Sequence, residues 1–368
     1  MKKVVVGLSG GVDSAVAAYL LKKEGYDVIA LFMRNWDSLV NNELVNDQDL
    51  SEICPQEKDY QDAKKVAEFL DIPIKRVDFV KEYWDYVFSY FLEELKKGYT
   101  PNPDMLCNRF IKFDLFKKEA DKLGADYIAT GHYANTKDGR LYRAKDTNKD
   151  QTYFLADVKK GALDNVLFPL GDYTKPEIRE IAKNVGIPVF DKKDSTGICF
   201  IGERNYQKFI SNYLSKNEGN IINVLTKEVI GKHSGLMNYT IGQRKNVGLS
   251  GDTERHYVCG KNTEKNELYI AYGDSSYLYS DSCLIENLNM ISDKLVNDVV
   301  VKLRYRGEDI KANIKYLDDN RALVTYNEKA KAVTPGQACV IYDGKECLGC
   351  GFIKEIYNDN EKLWYISC

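Results

Sequence analysis

The glycine- and serine-rich stretch at residues 7–14, Gly-Leu-Ser-Gly-Gly-Val-Asp-Ser, has the composition of a phosphate-binding turn. It follows the run Val-Val-Val at 4–6 and precedes the apolar stretch 15–21, so it joins a buried strand to a helix. Glycines let the backbone approach an anion, Ser9 and Ser14 offer hydroxyls, and the helix start offers unpaired N–H groups. The Gly-Lys-Ser/Thr ending of a Walker loop is missing. The stretch therefore predicts a phosphate cradle of another type, the alternative being an ordinary glycine-rich turn.

A second stretch, residues 100–108, places a carboxyl group and a thiol one helical turn apart. Pro101 and Pro103 stiffen the chain, and Asp104 and Cys107 fall at the start of the helix that follows. A thiol near a helix N-terminus is a better nucleophile than an ordinary one, and Asp104 could orient it or carry a proton. A half-buried cysteine beside a capping aspartate would have the same spacing, so these residues alone leave both interpretations open.

A third stretch, residues 192–202, carries Cys199 in a loop of small residues, with Gly197 and Gly202 on either side. Lys192 and Lys193 precede it, and their charge would favour a thiolate. Two cysteines in loops, together with a phosphate cradle, indicate sulfur transfer.

The composition is that of a globular protein with room for more than one core: 368 residues, 44% hydrophobic and 29% charged, with a net charge of −3. This balance neither requires nor excludes a nucleic-acid partner, because binding needs only a local basic surface. No apolar run is long enough for a membrane span, and Met-Lys-Lys leads directly into the first strand. We therefore expect a cytoplasmic protein, whose nine cysteines do not form a disulfide framework.

Strands and helices alternate along the first half, which predicts an α/β fold with a doubly wound, mostly parallel sheet. The predicted elements are strands at 27–33, 74–78 and 126–130 and helices at 57–70, 81–97, 110–123 and 175–185, with a loop at 35–56. From residue 283 onward the pattern is almost entirely β and predicts an antiparallel barrel. We expect three domains: a catalytic domain over 1–204, a small central α+β domain over 205–280 and the C-terminal β-barrel over 281–368.

The sequence has two specific resemblances to known proteins. Residues 9–14 resemble the pyrophosphate loop of ATP pyrophosphatases, and the chain as a whole resembles the tRNA-specific 2-thiouridylase family. The matching motifs are Thr-Pro-Asn-Pro-Asp-x-x-Cys-Asn at 100–108, Ala-Thr-Gly-His-Tyr at 129–133, Lys-Asp-Gln-x-Tyr-Phe-Leu at 149–155, Ser-Thr-Gly-Ile-Cys-Phe-Ile-Gly at 195–202, Tyr-Thr-Ile-Gly-Gln-Arg at 239–244, Arg-Tyr-Arg at 304–306 and Thr-Pro-Gly-Gln-Ala at 334–338.

The resemblance implies a fold similar to adenine nucleotide alpha hydrolases and a role for each matching residue. ATP would be held by Gly7, Leu8, Ser9, Gly10, Gly11, Val12, Asp13, Ser14, Met33 and Gly131, with Met33 against the adenine. The target base would contact Asn102, Pro103 and Asp104; Cys107 would be the nucleophile and Cys199 the persulfide carrier. The tRNA would contact His132, Lys149, Asp150, Gln151, Arg304, Tyr305 and Gln337.

The implied reaction is ATP-dependent thiolation of the wobble uridine in a tRNA anticodon loop, with Mg²⁺ accompanying ATP and a persulfide carrier protein as sulfur donor. Either a disulfide between the two cysteines or an iron–sulfur cluster could serve in the relay, and the cluster would need a third cysteine. Departures from the family pattern at Tyr99, Thr152, Asn246 and Gly307 bear on tRNA contacts.

Two rival functions share some of these features. A small-molecule ATP pyrophosphatase would use the same loop without two cysteines, and a non-catalytic RNA-binding protein would bind tRNA without chemistry. Other candidate residues give weaker evidence of function. Cys347 and Cys350 form a single Cys-x-x-Cys pair on a predicted hairpin, which favours a structural role over zinc binding. His233 and His256 lack the spacing of metal ligands.

Overall fold

The computed structural model describes residues 1–37, 40–41, 55–194, 205–249 and 254–368. The chain divides into two compact units. The first unit comprises Met1–Phe88, Pro103–Phe209 and Lys345–Cys347, and the second comprises Ser89–Asn102, Ile210–Gly344 and Leu348–Cys368.

A parallel five-stranded sheet organises the first unit. Its strands are β1 (Lys3–Gly7), β2 (Asp27–Arg34), β3 (Ile74–Asp78), β4 (Tyr127–Ala129) and β7 (Val166–Leu167), in the order β3-β2-β1-β4-β7. Every pairing along this order is parallel. A short antiparallel hairpin, β5 (Asn135–Lys137) and β6 (Arg140–Tyr142), lies between β4 and β7 in sequence. The predicted parallel sheet is confirmed.

The strand order places a topological switch point between β1 and β4. The chain proceeds from β1 outward through β2 and β3, and then returns to the other side of β1 with β4. Ligands of such sheets bind beyond the carboxyl ends of the strands at this point. Residues 7–14 follow β1 and residues 130–132 follow β4, so the two stretches meet there.

The described part of the first unit contains several helices and π-helices. They are Val12–Lys23, Pro55–Phe69, Val80–Tyr83, the π-helix Trp84–Phe88, Pro103–Leu106, the π-helix Cys107–Leu115, Phe116–Lys122, Thr152–Leu155, Lys175–Val185 and Tyr206–Ile210, whose last residue belongs to the second unit. Val4, Val6, Ala15, Val16 and Ile178 are among the fully buried residues of the core. The helix Lys175–Val185 has its predicted bounds, with the capping box of Thr174 and Glu177 at its start and Gly186 in a left-handed conformation after its end.

The predicted helix at 110–123 begins earlier, at Pro103, and runs on to Lys122. Pro103 is suited to a first helical position because its missing N–H would be unpaired there in any case. We refer to this run as the 103–122 helix. Its central nine residues, Cys107–Leu115, form a π-helix, a wider helix that often occurs at functional sites.

The second unit contains a helix, Ser89–Lys96, and two sheets. The smaller sheet has the order β19-β10-β11-β8-β9, formed by β8 (Gly219–Asn223), β9 (Val229–His233), β10 (His256–Asn262), β11 (Glu267–Tyr272) and β19 (Ile366–Ser367). The larger sheet has β12 (Tyr279–Met290), β13 (Asp298–Lys302), β14 (Ile310–Tyr316), β15 (Arg321–Lys331), β16 (Ala338–Asp343) and β17 (Glu346–Asn358), with the two-residue β18 (Glu361–Lys362) paired to β17.

The larger sheet closes on itself because β12 pairs antiparallel with both β15 and β17. Its strand order β12-β15-β14-β13-β16-β17 therefore returns to its starting strand. Closure leaves no exposed sheet edge, and the interior is filled by buried residues that include Ile285, Val301 and Ile314. The predicted C-terminal antiparallel barrel is confirmed. Within the described part of the chain, no helix has both the length and the apolar character that crossing a membrane requires.

Candidate active site

The turn after β1 presents a row of unpaired backbone donors. The N–H groups of Gly10, Gly11, Val12 and Asp13 have no acceptor among the residues that the structure describes. They lie at the start of the helix Val12–Lys23, whose N-cap residue Gly11 makes no side-chain capping bond. Unpaired N–H groups and the positive end of a helix dipole together attract an anion. The turn therefore has the donors that the predicted phosphate cradle requires.

Internal hydrogen bonds hold this turn in shape. The Ser14 Oγ accepts from the Ser9 backbone N–H at 3.1 Å and donates to the Gly11 carbonyl at 3.1 Å. The Ser9 hydroxyl lies 3.1 Å from the same Oγ, and it is the donor, because the Ser14 proton is already used. Gly10 has φ +78°, and a Cβ there would lie 2.2 Å from the Asp59 carbonyl oxygen. Only glycine fits this position.

Gly131, after β4, lies directly against the helix start. A Cβ on Gly131 would be 2.9 Å from the Ser14 backbone nitrogen and 3.0 Å from the Asp13 carbonyl carbon. On the other side of β1, the Met33 Cε lies 3.6 Å from the position of a Cβ on Gly7. The residues that the resemblance assigns to ATP thus surround one strand end.

Lys192 holds the same turn through a hydrogen bond to its backbone. Its ammonium donates to the Gly10 carbonyl at 3.1 Å and to the Asp59 and Asp62 carboxylates at 2.8 Å each. Burial opposes the charge, but the two carboxylates outweigh it and raise the pKa of Lys192 above its ordinary value. The ammonium therefore stays charged, and it fixes the orientation of the peptide at Gly10.

Cys107 lies at the junction between the first turn of the 103–122 helix and its π-helical part. It is buried, with 2% of its surface exposed. Pro103 and Asp104 occupy the first two positions of this helix, so the predicted one-turn separation of Asp104 and Cys107 is present. The next two residues anchor the helix: Asn108 donates to the Phe154 carbonyl at 2.9 Å and Arg109 to the Asp157 carboxylate at 2.5 Å.

His132 joins the turn at residues 7–14, which we call the nucleotide turn, to the 103–122 helix. It follows Gly131, and the Lys112 ammonium donates to its Nε2 at 3.3 Å. Nδ1 therefore carries the ring proton and donates to the Thr130 hydroxyl at 2.7 Å. Burial, aided by the charge of Lys112, lowers the pKa of His132 well below its usual value. The ring is neutral, and its hydrogen bonds fix it in one orientation.

The residues assigned to tRNA lie in both units. In the first unit, Lys149 is paired with Asp194 at 2.6 Å, and the buried Asp150 accepts from the Ala144 backbone at 3.2 Å. Gln151 Oε1 accepts from the Tyr133 backbone at 2.9 Å.

In the second unit, Arg304 is exposed and Tyr305 half-buried, in the connection between β13 and β14. Gln337 donates to the Thr100 carbonyl at 2.7 Å. Asn102, assigned to the target base, is half-buried at the end of the 89–102 segment of the same unit. These positions leave the assigned contacts as predictions.

Cys199 and the rest of residues 195–204 lie outside the described residues, so the assignments made there stay predictions. Cys347 and Cys350 are both buried on β17. In the described ranges, no group of three or more His, Cys, Asp or Glu side chains could hold a metal ion. Within the second unit, His233 Nε2 donates to the Asn266 carbonyl at 3.1 Å, as expected of a polar contact.

Sequence reasoning did not predict the contacts of Lys112, Tyr133 and Lys175, and it assigned Lys192 a different role, that of favouring a thiolate at Cys199. Lys192 bonds to Gly10, 182 positions earlier in the chain, and the Tyr133 hydroxyl donates to Asp13 across 120 positions. No local pattern signals such contacts. Their only sequence signal is the position of these residues beside motifs of the predicted site.

Comparison with known proteins identifies the family. Three family models match in succession: the tRNA methyl transferase HUP domain over residues 2–203, the tRNA methyl transferase PRC-barrel domain over 207–272 and the aminomethyltransferase beta-barrel domain over 280–353. A protein of Mycoplasmopsis synoviae named tRNA-specific 2-thiouridylase MnmA is 54% identical over 369 residues, covering 99% of both chains. The protein of that name from Metamycoplasma arthritidis is 51% identical, covering 99% of this chain and 100% of its own. The model descriptions mention methyl transfer, but identity over the full length is the stronger criterion: this chain belongs to the tRNA-specific 2-thiouridylase family.

Proposed function

We propose that this protein is an ATP-dependent tRNA-uridine 2-sulfurtransferase that converts the wobble uridine of tRNA to 2-thiouridine. The observation that supports this proposal most strongly is one continuous set of contacts within the first unit. The donor-rich turn at 10–13 touches Gly131, the next residue His132 bonds Lys112, and Lys112 lies five positions after Cys107 on the same helix. An anion cradle and a cysteine nucleophile are thereby connected through short, fixed contacts.

The first chemical step activates the base. The C2 oxygen of uracil is a poor leaving group, so ATP would transfer its adenylyl group to that oxygen and release pyrophosphate. The unpaired N–H groups of Gly10 to Asp13 would bind the phosphates and stabilise the charge that develops on the leaving group. Asp13 offers carboxylate oxygen, the ligand type that Mg²⁺ prefers, and Mg²⁺ bound with ATP would reduce the negative charge of the phosphates.

Sulfur transfer would follow at the activated carbon. The terminal sulfur of a persulfide on Cys199 attacks C2, and AMP leaves with the former C2 oxygen. The Cys107 thiolate then attacks the Cys199 sulfur, and the electron pair of the broken S–S bond goes to the sulfur on C2, which becomes the thiocarbonyl. A disulfide between Cys107 and Cys199 remains, and a cellular dithiol reduces it. In the other form of this step, the Cys107 thiolate attacks the Cys199 sulfur first, the persulfide S–S bond breaks and expels hydrosulfide, and the hydrosulfide then attacks C2.

The substrate fits the chemistry of the site. The target base lies in an anticodon loop that is already single-stranded, so presenting it costs less than extrusion from a duplex. Asn102, Pro103 and Asp104 would contact this base, and His132, Lys149, Asp150, Gln151, Arg304, Tyr305 and Gln337 would contact the tRNA around it. A persulfide carrier protein would load Cys199. We expect the loading of Cys199 and the thiolation of tRNA to take place in the cytoplasm.

Substitution of the two cysteines tests the proposal. Cys107→Ser and Cys199→Ser should each abolish 2-thiouridine formation while ATP binding persists, because the resemblance assigns neither thiol to ATP. Cys259→Ser is the matched control: Cys259 is also buried, on β10 of the second unit, and its loss should leave thiolation intact. Thiolation that survives either of the first two substitutions would contradict the assigned relay. Pyrophosphate release that tRNA does not stimulate would instead favour a small-molecule substrate.

A further inference from the structure

Lys175 is a buried cation on a different helix from the nucleotide turn, and it contacts Asp13 of that turn. It is the first residue of the helix Lys175–Val185, and only 9% of its surface is exposed. Its ammonium lies between two carboxylates, 2.7 Å from Asp13 Oδ1 and 2.8 Å from Asp194 Oδ1. The chemistry proposed above assigns no role to this residue.

The backbone around Lys175 is firmly fixed. Thr174 and Glu177 form a reciprocal capping box around the helix start. The Lys175 N–H donates to the Asp146 carboxylate at 2.9 Å. Because the backbone cannot shift easily, the ammonium has a defined position relative to Asp13.

Asp194 holds this ammonium from the other side and remains ionised. It also accepts from Lys149 and from Arg179, at 2.6 Å each. Burial opposes ionisation of Asp194, but the hydrogen bonds from Lys149 and Lys175 outweigh it and hold its pKa well below the ordinary range. The anion that shares Lys175 with Asp13 is therefore charged at every pH at which the enzyme would work.

Asp13 is an unfavourable residue for an anion site unless its charge is compensated. It is the second residue of the helix Val12–Lys23, and its own N–H is one of the unpaired donors. Its Oδ1 accepts from two groups only among the described residues, the Tyr133 hydroxyl at 2.8 Å and Lys175. Tyr133 is neutral, since burial and the nearby Asp13 carboxylate raise its pKa. Lys175 is thus the only cation bonded to Asp13 within the described part of the chain.

We propose that Lys175 is a positioning residue of the nucleotide site: its buried ammonium neutralises Asp13 and fixes the carboxylate, so that the turn accepts a polyphosphate anion. This inference rests on the proposed function only in its use of ATP. It predicts that loss of the ammonium weakens binding of ATP and leaves binding of adenosine, which carries no phosphate, nearly unchanged.

The test compares nucleotide binding by calorimetry in the presence of EDTA, so that no divalent cation takes part. Lys175→Met should weaken ATP binding by at least tenfold and adenosine binding by less than twofold. Lys145→Met is the matched control, because Lys145 pairs with Glu177 at the same helix start but is half exposed. Its ATP affinity should stay within twofold of the unsubstituted protein.

A second substitution separates positioning from direct phosphate contact and from misfolding. In Lys175→Met/Asp13→Asn the unpaired carboxylate is also gone, so ATP affinity should return to within about threefold of the unsubstituted protein. The double variant leaves no buried carboxylate without its cation, and it is the measurement to use if Lys175→Met fails to fold.

Three results would overturn the inference. These are unchanged ATP affinity in Lys175→Met, equal loss of ATP and adenosine binding, and failure of the double variant to regain affinity. A parent protein that binds ATP but forms no 2-thiouridine would contradict the proposed function and leave this test valid. A parent protein that binds ATP with Mg²⁺ but not in EDTA would contradict this inference alone, and one that binds ATP under neither condition would contradict both.

Discussion

Replacement of Gly131 by alanine should push β4 and the nucleotide turn apart. The contacts of the added Cβ set the size of that displacement. The new Cβ would lie 2.9 Å from the Ser14 nitrogen, 3.0 Å from the Asp13 carbonyl carbon and 3.1 Å from the Ser14 Cα. Ordinary contacts of a Cβ are 3.4–4 Å. All three opposing atoms are backbone, so no side-chain rotation can relieve the contact, and the strand end or the helix start must move by about half an ångström.

Overpacking of this kind costs about 1–3 kcal/mol. If the helix start moves, the unpaired N–H groups move with it, and part of that cost appears as lost ATP affinity. Since about 1.4 kcal/mol corresponds to tenfold, the full cost would weaken ATP binding by about 150-fold at most, and we expect a loss below that limit. The free energy of unfolding should fall by an amount in the same range.

Gly7→Ala is the matched control at the same strand end. Its Cβ would meet the Met33 Cε at 3.6 Å and the Phe116 Cζ at 3.7 Å, which are ordinary contacts with side chains. ATP affinity by titration and unfolding free energy by urea denaturation should therefore change much less than in Gly131→Ala. Equal effects of the two substitutions would refute the inferred close approach of Gly131 to the turn.

Three further predictions concern groups around the site. Burial, opposed by Arg109, raises the pKa of Asp157 from 3.8 to about 6. Its protonated form is favoured in the folded state, so it contributes about 3 kcal/mol of stability that is complete only below pH 3.8 and is lost as the pH rises through 6. The stability of Asp157→Asn relative to the unsubstituted protein should therefore increase from pH 4 to 7 in urea melts, and a constant difference would contradict this. Thr174→Ala should lower stability by about 1 kcal/mol through loss of the capping box, whereas Thr174→Ser should not. Lys192→Met should weaken ATP binding about tenfold and lower the melting temperature, because the Gly10 carbonyl loses its donor and Asp59 and Asp62 each lose a charged partner. The substitution of its exposed neighbour, Lys193→Met, should do neither.

Periodic patterns in the sequence predicted the elements that position the site. The alternation of apolar strands and amphipathic helices predicted the parallel sheet, and the helix predicted at 175–185 has its observed bounds. These features are encoded over a few neighbouring residues, since each depends on the side-chain repeat of one element. The barrel was predictable for the same reason, although its closure through β12 was not.

The remainder of the site depends on contacts between residues far apart in the chain. Lys175 reaches Asp13 across 162 positions. The π-helix at Cys107 was also unpredicted, because such helices are rare and occur mostly as short segments within α-helices. The roles of Cys107, Asp104 and the tRNA contacts came from family motifs, since a cysteine one turn after an aspartate is equally compatible with a structural role.

The central claim is thiolation of tRNA, and nucleoside mass analysis tests it most directly. Unmodified tRNA would be incubated with the protein, ATP, Mg²⁺ and a sulfide or persulfide donor, then digested to nucleosides. We predict that 2-thiouridine appears, that its formation requires ATP, and that Cys107→Ser abolishes it. ATP cleavage to AMP and pyrophosphate with no 2-thiouridine in the digest would contradict the account and indicate a different acceptor.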